Sequence, residues 1–192
     1  ANSLDWGMKK HLSNIFNTKS GNSVMFAFDH GYFMGSTAGL ERLDLLLPKL
    51  APYVDVFMGT RGAIRTCVPP EITKGIALRV SSGSSMLNDD LSHEVVAVDI
   101  EEAIRMNADC MAVQTFIGAD GQLSSIDNLS KTINAGMRYS IPTMGVVNRW
   151  KEQIVSSNWL PVSLLRWVYS LLKLTTARTS KRSLQLAQYR SL

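Results

Sequence analysis

One local pattern recurs five times along the chain and limits the fold more than any other feature. Each repeat is a short, continuous apolar stretch, then a polar or glycine-rich loop, then a segment with helical spacing. The stretches lack the alternation of apolar and polar residues that is typical of a strand with one solvent-exposed face. Their continuous apolar character indicates strands buried on both faces of a parallel sheet. They are residues 24–28, 54–60, 75–80, 110–117 and 142–147. Strands that alternate with helices in this way predict βα units and an α/β fold.

Helical spacing or capping signals mark the segments around these strands. Asp99 is predicted to cap one helix, because Glu101 and Glu102 follow it in the first turn, where the helix dipole favours acidic side chains. The predicted helices are residues 4–16, 40–50, 63–67, 100–108 and 126–137.

The α/β class leaves two architectures open, a barrel and a doubly wound sheet. No GxGxxG follows the first strand, and no GxxxxGK followed by Ser or Thr occurs, so both usual nucleotide-binding signatures are missing. The chain has 192 residues, whereas a complete eight-stranded α/β barrel typically needs about 250. A barrel built from this chain would therefore be incomplete.

Polar residues follow the first predicted strand directly. Asp29, His30 and Gly31 end the apolar run SVMFAF. The carboxyl ends of the strands form the active-site face of an α/β barrel, so a carboxylate and an imidazole there indicate a functional site. The alternative is that Asp29 only caps the following loop and that His30 is an ordinary loop residue.

Charge divides the chain into two unequal parts. Residues 1–147 carry 12 basic and 15 acidic side chains, whereas residues 148–192 carry 8 basic and 1 acidic. The net charge of +4 therefore comes from the carboxyl-terminal part alone, and a domain boundary is predicted at residue 147.

Cysteine usage and hydropathy indicate a cytoplasmic protein. Two cysteines, Cys67 and Cys110, are too few for a disulfide framework or a metal knuckle, which favours a reducing compartment and no bound metal. No stretch reaches the roughly 18 apolar residues of a membrane span, and no apolar signal core is visible at the first residues. We therefore expect neither a membrane nor a nucleic-acid partner.

Seven segments resemble the DhnA-type class I aldolases, and within that group the thiolases that process phosphorylated autoinducer-2. The similarity covers about residues 3–147. It is carried by LDWGM, AFDHGYFMGSTAGLER, VDVFMGTRG, LRVSSGSS, EEAIRMNAD, AVQTFIG and INAGMRYSIPTMGV. The resemblance implies a TIM (β/α)8 barrel, of which this chain holds about the first five βα units. It also implies a homo-oligomer in the intact family, no cofactor, and a phosphorylated ketose or diketone substrate that forms a Schiff base with a lysine.

The resemblance also implies site residues. Asp29 takes the acid/base position beside the Schiff-base lysine, and His30 and Gly31 lie next to the substrate. An aldolase needs proton transfers at the carbinolamine and at the substrate hydroxyl, and a carboxylate at a strand end can relay them.

Three further positions are candidates for substrate binding, each with an alternative. Arg61 could hold an anionic substrate group or pair with an acidic neighbour. Gln114 could point into the barrel mouth or pack as an amide in an inner layer. Ser82, with Ser84, could offer a hydroxyl at the end of the third strand or lie in a solvated loop.

The catalytic lysine has no clear counterpart. In the family it lies on the sixth strand in a motif close to IIKTYY, and Lys173 is the only superficial candidate after residue 147. Its surroundings, SLLRWVYSLLKL, are typical of a basic amphipathic helix rather than a parallel strand. The chain as written is therefore predicted to lack Schiff-base activity and to be marginally stable.

A frameshift explains the change of character. Allowed codons for the chain from about residue 165 to residue 192, read two nucleotides out of phase, can encode AEMGIFIVKTYYCEDFEKITAACPVPIV, which resembles the sixth and seventh βα units of the family. We therefore interpret residues 148–192 as frameshifted translation. The alternative is a non-catalytic binding or regulatory half-barrel whose basic tail binds a membrane surface or nucleic acid.

Overall fold

The computed structural model describes residues 4–35 and 38–149. It contains seven strands, β1 (Met25–Ala27), β2 (Val56–Thr60), β3 (Gly75–Arg79), β4 (Ser81–Ser82), β5 (Val95–Val96), β6 (Cys110–Ile117) and β7 (Thr143–Arg149). The α-helices are α1 (Trp6–Ile15), α2 (Gly31–Met34), α3 (Leu43–Leu50), α4 (Arg61–Cys67), α5 (Ile100–Arg105) and α6 (Gln122–Tyr139), and a short 3-10 helix spans Ala51–Tyr53. All five predicted strands and all five predicted helices are therefore confirmed, with ends that differ by a few residues.

Five strands form one parallel sheet in the order β1-β2-β3-β6-β7. Their order in space follows their order along the chain, without the reversal that defines a doubly wound sheet. Sequential parallel strands, each followed by helical chain, are the arrangement of an α/β barrel. The structure thus decides between the two architectures that the sequence left open.

Apolar side chains fill both faces of the sheet. On the outer face, Phe57, Leu78 and Met111 pack under helices α3 to α6 through residues such as Leu47 and Leu129. On the inner face, helix α1 covers the sheet near the amino ends of the strands. The buried members of that second cluster are Ile15, Val56, Met58, Ala77, Cys110 and Ala112.

Side-chain caps begin three of the predicted helices, at Asp5, Thr60 and Asp99. The Asp5 carboxylate accepts a hydrogen bond from the backbone N–H of Met8 at 2.9 Å, which fixes the start of α1 and lowers the pKa of Asp5. The Asp99 carboxylate accepts from the backbone N–H of Glu102 at 3.1 Å, so the predicted cap of α5 is confirmed.

The first strand is less buried than its sequence predicts. All three residues of β1 are half-buried and Val24 is 55% exposed, because β1 pairs only with β2 and forms an edge of the described sheet. The sequence did not predict the single helical turn α2, the short 3-10 helix, or the antiparallel pairing of β4 with β5, which folds the chain after β3 into a hairpin.

No helix within residues 4–35 and 38–149 is long and apolar enough to cross a membrane. The predictions for the basic tail fall outside the described residues.

Candidate active site

Polar side chains from four segments meet at the carboxyl edge of the sheet. Asp29 follows β1, Arg79 is the last residue of β3, Gln114 lies in β6, and Glu94 precedes β5. Arg79 is two residues from Ala77, and Gln114 is two from Ala112, so both side chains belong to the inner face. The cluster therefore occupies the position that an active site has in an α/β barrel.

Arg79 is the centre of this cluster. Its Nη1 donates to Oδ2 of Asp29 at 2.6 Å, and its Nε donates to the backbone oxygen of Ser81 at 3.0 Å. Its Nη2 donates to Oε1 and Oε2 of Glu94 at 2.8 and 3.1 Å and also contacts the Gln114 side-chain oxygen. The three charged side chains are 3%, 6% and 0% exposed for Arg79, Asp29 and Glu94. Charges removed from water to this extent are stable only when paired, so each member depends on the others.

Tyr32 joins the cluster from helix α2. Its hydroxyl accepts from Nη2 of Arg79 at 2.8 Å and donates to Oε1 of Glu94, and the guanidinium carbon lies 5.1 Å from the centre of its ring. Burial raises the pKa of Tyr32, and the hydrogen bond to Glu94 raises it further. The phenol therefore stays protonated at neutral pH and acts as a donor.

The two oxygens of the Asp29 carboxylate have different neighbours. Oδ2 binds Arg79, whereas Oδ1 lies 3.9 Å from Nδ1 of His30. The Asp29 carboxylate does not cap α2 and binds Arg79 instead, which favours a site residue over the loop-capping alternative. His30 is the N-cap residue of α2, with 30% of its side chain exposed, so it lies between the buried cluster and solvent.

The remaining predicted site residues differ in whether they contact the polar cluster. Gln114 joins the cluster through Arg79. Ser82 is half-buried in the β4–β5 hairpin and Gly31 is the exposed first residue of α2. Arg61 begins α4 at the end of β2, where it is exposed and has no ion-pair partner among the described residues. The proposed pairing of Arg61 with an acidic neighbour is therefore not found in this part of the chain.

Ser84 corrects the alternative of a solvated loop after β3. It is 8% exposed and its hydroxyl donates to Oε1 of Glu94 at 3.1 Å and to the backbone oxygen of Leu91. The loop between β4 and β5 is thus fixed against the cluster at Ser84, whereas residues 86–89 of the same loop are exposed.

Sequence reasoning missed Arg79, Glu94 and Tyr32. Arg79 has a detectable signal, since it is a charged residue inside the apolar stretch GIALRV, and a charge in a buried strand needs a partner. Glu94 and Tyr32 have none, because they lie in segments without periodic pattern and reach the cluster only through the hairpin and through α2.

The described lysines lie away from this edge. Lys9 and Lys10 are in α1, Lys49 is in the last turn of α3, Lys74 precedes β3, Lys131 is in α6, and Lys19 lies between α1 and β1. None of them follows the carboxyl end of a strand. The same residues contain no group of three or more histidine, cysteine or acidic side chains that could hold a metal ion.

Known proteins similar to this chain include aldolases and thiolases. The match to an uncharacterized aldolase of Pasteurella multocida is 48% identical over 149 residues, which is 78% of this chain and 51% of that protein. The 3-hydroxy-5-phosphonooxypentane-2,4-dione thiolase of Enterobacter sp. (strain 638) is 50% identical over 149 residues, or 78% of this chain and 50% of the thiolase. The chain is homologous to these aldolases and thiolases over that part of its length. It spans about half the length of the curated relatives that it matches.

The fold agrees with this assignment. An archaeal fructose-1,6-bisphosphate aldolase, solved with its catalytic lysine bound to the carbinolamine intermediate, superposes with a TM-score of 0.69 at 16% identity, over 85% of this chain and 67% of that one. The fold is therefore that of an aldolase TIM barrel, of which the described residues form a part. No protein-family model matches the chain.

Proposed function

We propose that residues 4–149 form the amino-terminal half of a Schiff-base aldolase or thiolase site for a phosphorylated ketose or diketone. The observation that carries the proposal is the Asp29 carboxylate at the carboxyl edge of the sheet, held by Arg79 through Oδ2 and lying 3.9 Å from Nδ1 of His30 at Oδ1. The curated thiolase relatives are named for a phosphorylated dione, which supports this substrate class.

Asp29 acts as the acid/base group in this proposal. Dehydration of a carbinolamine requires a proton on the departing hydroxyl, and carbon–carbon cleavage requires removal of a hydroxyl proton from the substrate. Oδ1 can deliver the first proton and accept the second, while Oδ2 stays bound to Arg79. His30 lies beside the substrate. The substrate-binding residues in this proposal are Gly31, Arg61, Gln114 and Ser82.

The Schiff-base amine must come from outside the described residues, since no described lysine follows a strand end. We attribute its absence to a frameshift in the region encoding residues 148–192. The out-of-phase reading supplies VKTYY, with the lysine codon spanning Leu172 and Lys173. The chain as written is then inactive. Sequencing the coding DNA around residue 147 tests this account, and an intact frame whose codons cannot give that peptide would refute it.

Borohydride trapping tests the activity of the 192-residue chain. Incubation with a phosphorylated ketose and sodium borohydride should leave the mass of the chain unchanged, because no amine is placed at the site. The same treatment of a full-length thiolase relative is the positive control. A stable adduct on the 192-residue chain would show that a lysine of this chain does form the Schiff base.

The charge difference between the two parts of the chain supports one competing function. In that case the half-barrel is a scaffold, and residues 148–192 bind an anionic membrane or nucleic acid. Binding to anionic vesicles or to duplex DNA that is lost on deletion of residues 148–192 would favour it. Equal, weak binding by both proteins would support the aldolase proposal and a cytoplasmic enzyme.

A further inference from the structure

Glu94 connects the cluster to the outer helices. Its backbone oxygen accepts from Nδ2 of Asn128 in α6 at 2.7 Å, while its carboxylate binds Arg79 and Tyr32 on the inner side. One residue of the β4–β5 hairpin therefore links helix α6 to the polar cluster.

The hairpin loop has a second anchor on the turn before α6. The backbone N–H of Gly121 donates to the Ser92 hydroxyl at 2.8 Å. The contact is so close that a Cβ atom at Gly121 would lie 2.1 Å from the backbone oxygen of Ser92. With two anchors on α6 and its preceding turn, the hairpin is a fixed support for Glu94.

Asp29 and Tyr32 have weaker local support. They flank the start of a single helical turn that has no side-chain capping hydrogen bond at its N-terminus, and the turn ends at Gly35 with a φ of 74°. A one-turn helix is not stable by itself, since nucleation is the unfavourable step of helix formation. The contacts of Arg79 with Asp29 and Tyr32 therefore supply order that this segment lacks.

We propose that Arg79 and Glu94 are positioning residues, which fasten the Asp29–Tyr32 segment to the β4–β5 hairpin and leave Oδ1 of Asp29 as the oxygen that transfers protons. The inference rests on the proposed acid/base function of Asp29 for its catalytic meaning. The fastening itself is independent of any substrate. Each guanidinium nitrogen binds different partners, since Nη1 holds Asp29, Nη2 holds Glu94 and Tyr32, and Nε holds the backbone at Ser81.

Hydrogen–deuterium exchange of the 192-residue chain tests the fastening. Arg79→Met and Glu94→Gln should each accelerate exchange about tenfold or more in residues 29–35, with little change in α6 or in residues 81–96, which keep their anchors on α6 and the turn before it. The matched control is Arg65→Met, which removes an Arg–Glu pair with Glu102 on the outer helices and should leave both segments unchanged. A uniform rise over the whole sheet, or a rise at residues 81–96 alone, would overturn the proposal.

Conservative variants separate positioning from charge. Arg79→Lys keeps the positive charge, but its single ammonium cannot replace three separate nitrogens, so it should behave like Arg79→Met. Exchange at the wild-type rate in Arg79→Lys would show that charge alone is sufficient and would refute the positioning role. Should Arg79→Met fail to fold, Glu94→Gln and Tyr32→Phe still decide the question, because each keeps the side-chain shape.

The ultraviolet absorbance of Tyr32 gives a second measurement, which a change in stability alone would not affect. The absorbance difference at 295 nm between wild type and Tyr32→Phe isolates the ionisation of Tyr32 during an alkaline titration. Burial is the larger cause of the raised pKa of Tyr32, and Glu94→Gln removes the negative charge that adds to it, so Tyr32 should ionise at lower pH in that variant, measured against the double variant Glu94→Gln/Tyr32→Phe. An unchanged curve would mean that Glu94 does not hold the phenol. No substrate enters these measurements, so the fastening can fail while the borohydride result stands, and the reverse also holds.

Discussion

Replacing Gly59 by alanine should destabilise the protein through one identifiable contact. Gly59 lies in β2 beneath the ring of Phe28, and a Cβ atom built there would lie 2.4, 2.7 and 3.0 Å from three of its ring carbons. The optimal distance between two carbon atoms in contact starts at about 3.5 Å, so the Phe28 ring must move by about 1 Å. The ring cannot move freely, because Phe28 is 3% exposed and packs against Phe26 and Phe57 with centroid distances of 6.2 Å.

Overpacking of this kind costs about 1–3 kcal/mol. For a domain of about 150 residues, a loss of 1 kcal/mol lowers the melting temperature by about 2–4 °C. Gly59→Ala should therefore melt about 2–12 °C below the wild type. Phe28 directly precedes Asp29, so the displaced ring should also loosen the Asp29–Arg79 contact.

Gly62→Ala is the matched control. Gly62 lies in helix α4, no atom lies within 4 Å of the position of its Cβ, and its backbone does not have positive φ. Alanine there should be neutral or stabilise by up to about 1 kcal/mol, because glycine is the poorer helix former. Urea unfolding followed by circular dichroism measures both variants. Equal unfolding midpoints for Gly59→Ala and Gly62→Ala would refute the steric argument.

Two further predictions concern other parts of the fold. Burial raises the pKa of the Cys110 thiol to about 12, so a disulfide reagent at pH 8 should titrate only the half-buried Cys67 in the native chain and both thiols in denaturant. A thiol whose pKa is higher in the folded state stabilises the fold below pH 9, so stability should fall as the pH rises above that value, and this fall should be smaller in a Cys110→Ala variant. Asp99→Ala removes the cap of α5 and should cost about 1 kcal/mol in urea unfolding, whereas Asp99→Asn should retain most of the stability. Equal losses for the two Asp99 variants would contradict the capping argument.

The sequence alone determined the fold class and the order of the elements. Continuous apolar stretches such as residues 110–117, which coincide with β6, are local signals, because burial on both faces of a parallel sheet requires apolar side chains at every position. The caps at Asp5 and Asp99 are local for a similar reason, since the acceptor and the donor are three residues apart. Asp29 could be selected as a site candidate because strand ends in such a fold share one edge.

Only the tertiary structure decided how that edge is built. Asp29 and Arg79 are 50 residues apart, and Arg79 and Gln114 are 35 apart, so their contacts have no local signature. The exposure of β1 depends on its place at the edge of the described sheet. The burial of Ser84 depends on the β4–β5 hairpin, which no periodic sequence pattern predicts. Pairing of buried charges is a property of three-dimensional proximity, which is why the sequence could indicate Asp29 while the structure alone identifies Arg79 and Glu94 as its support.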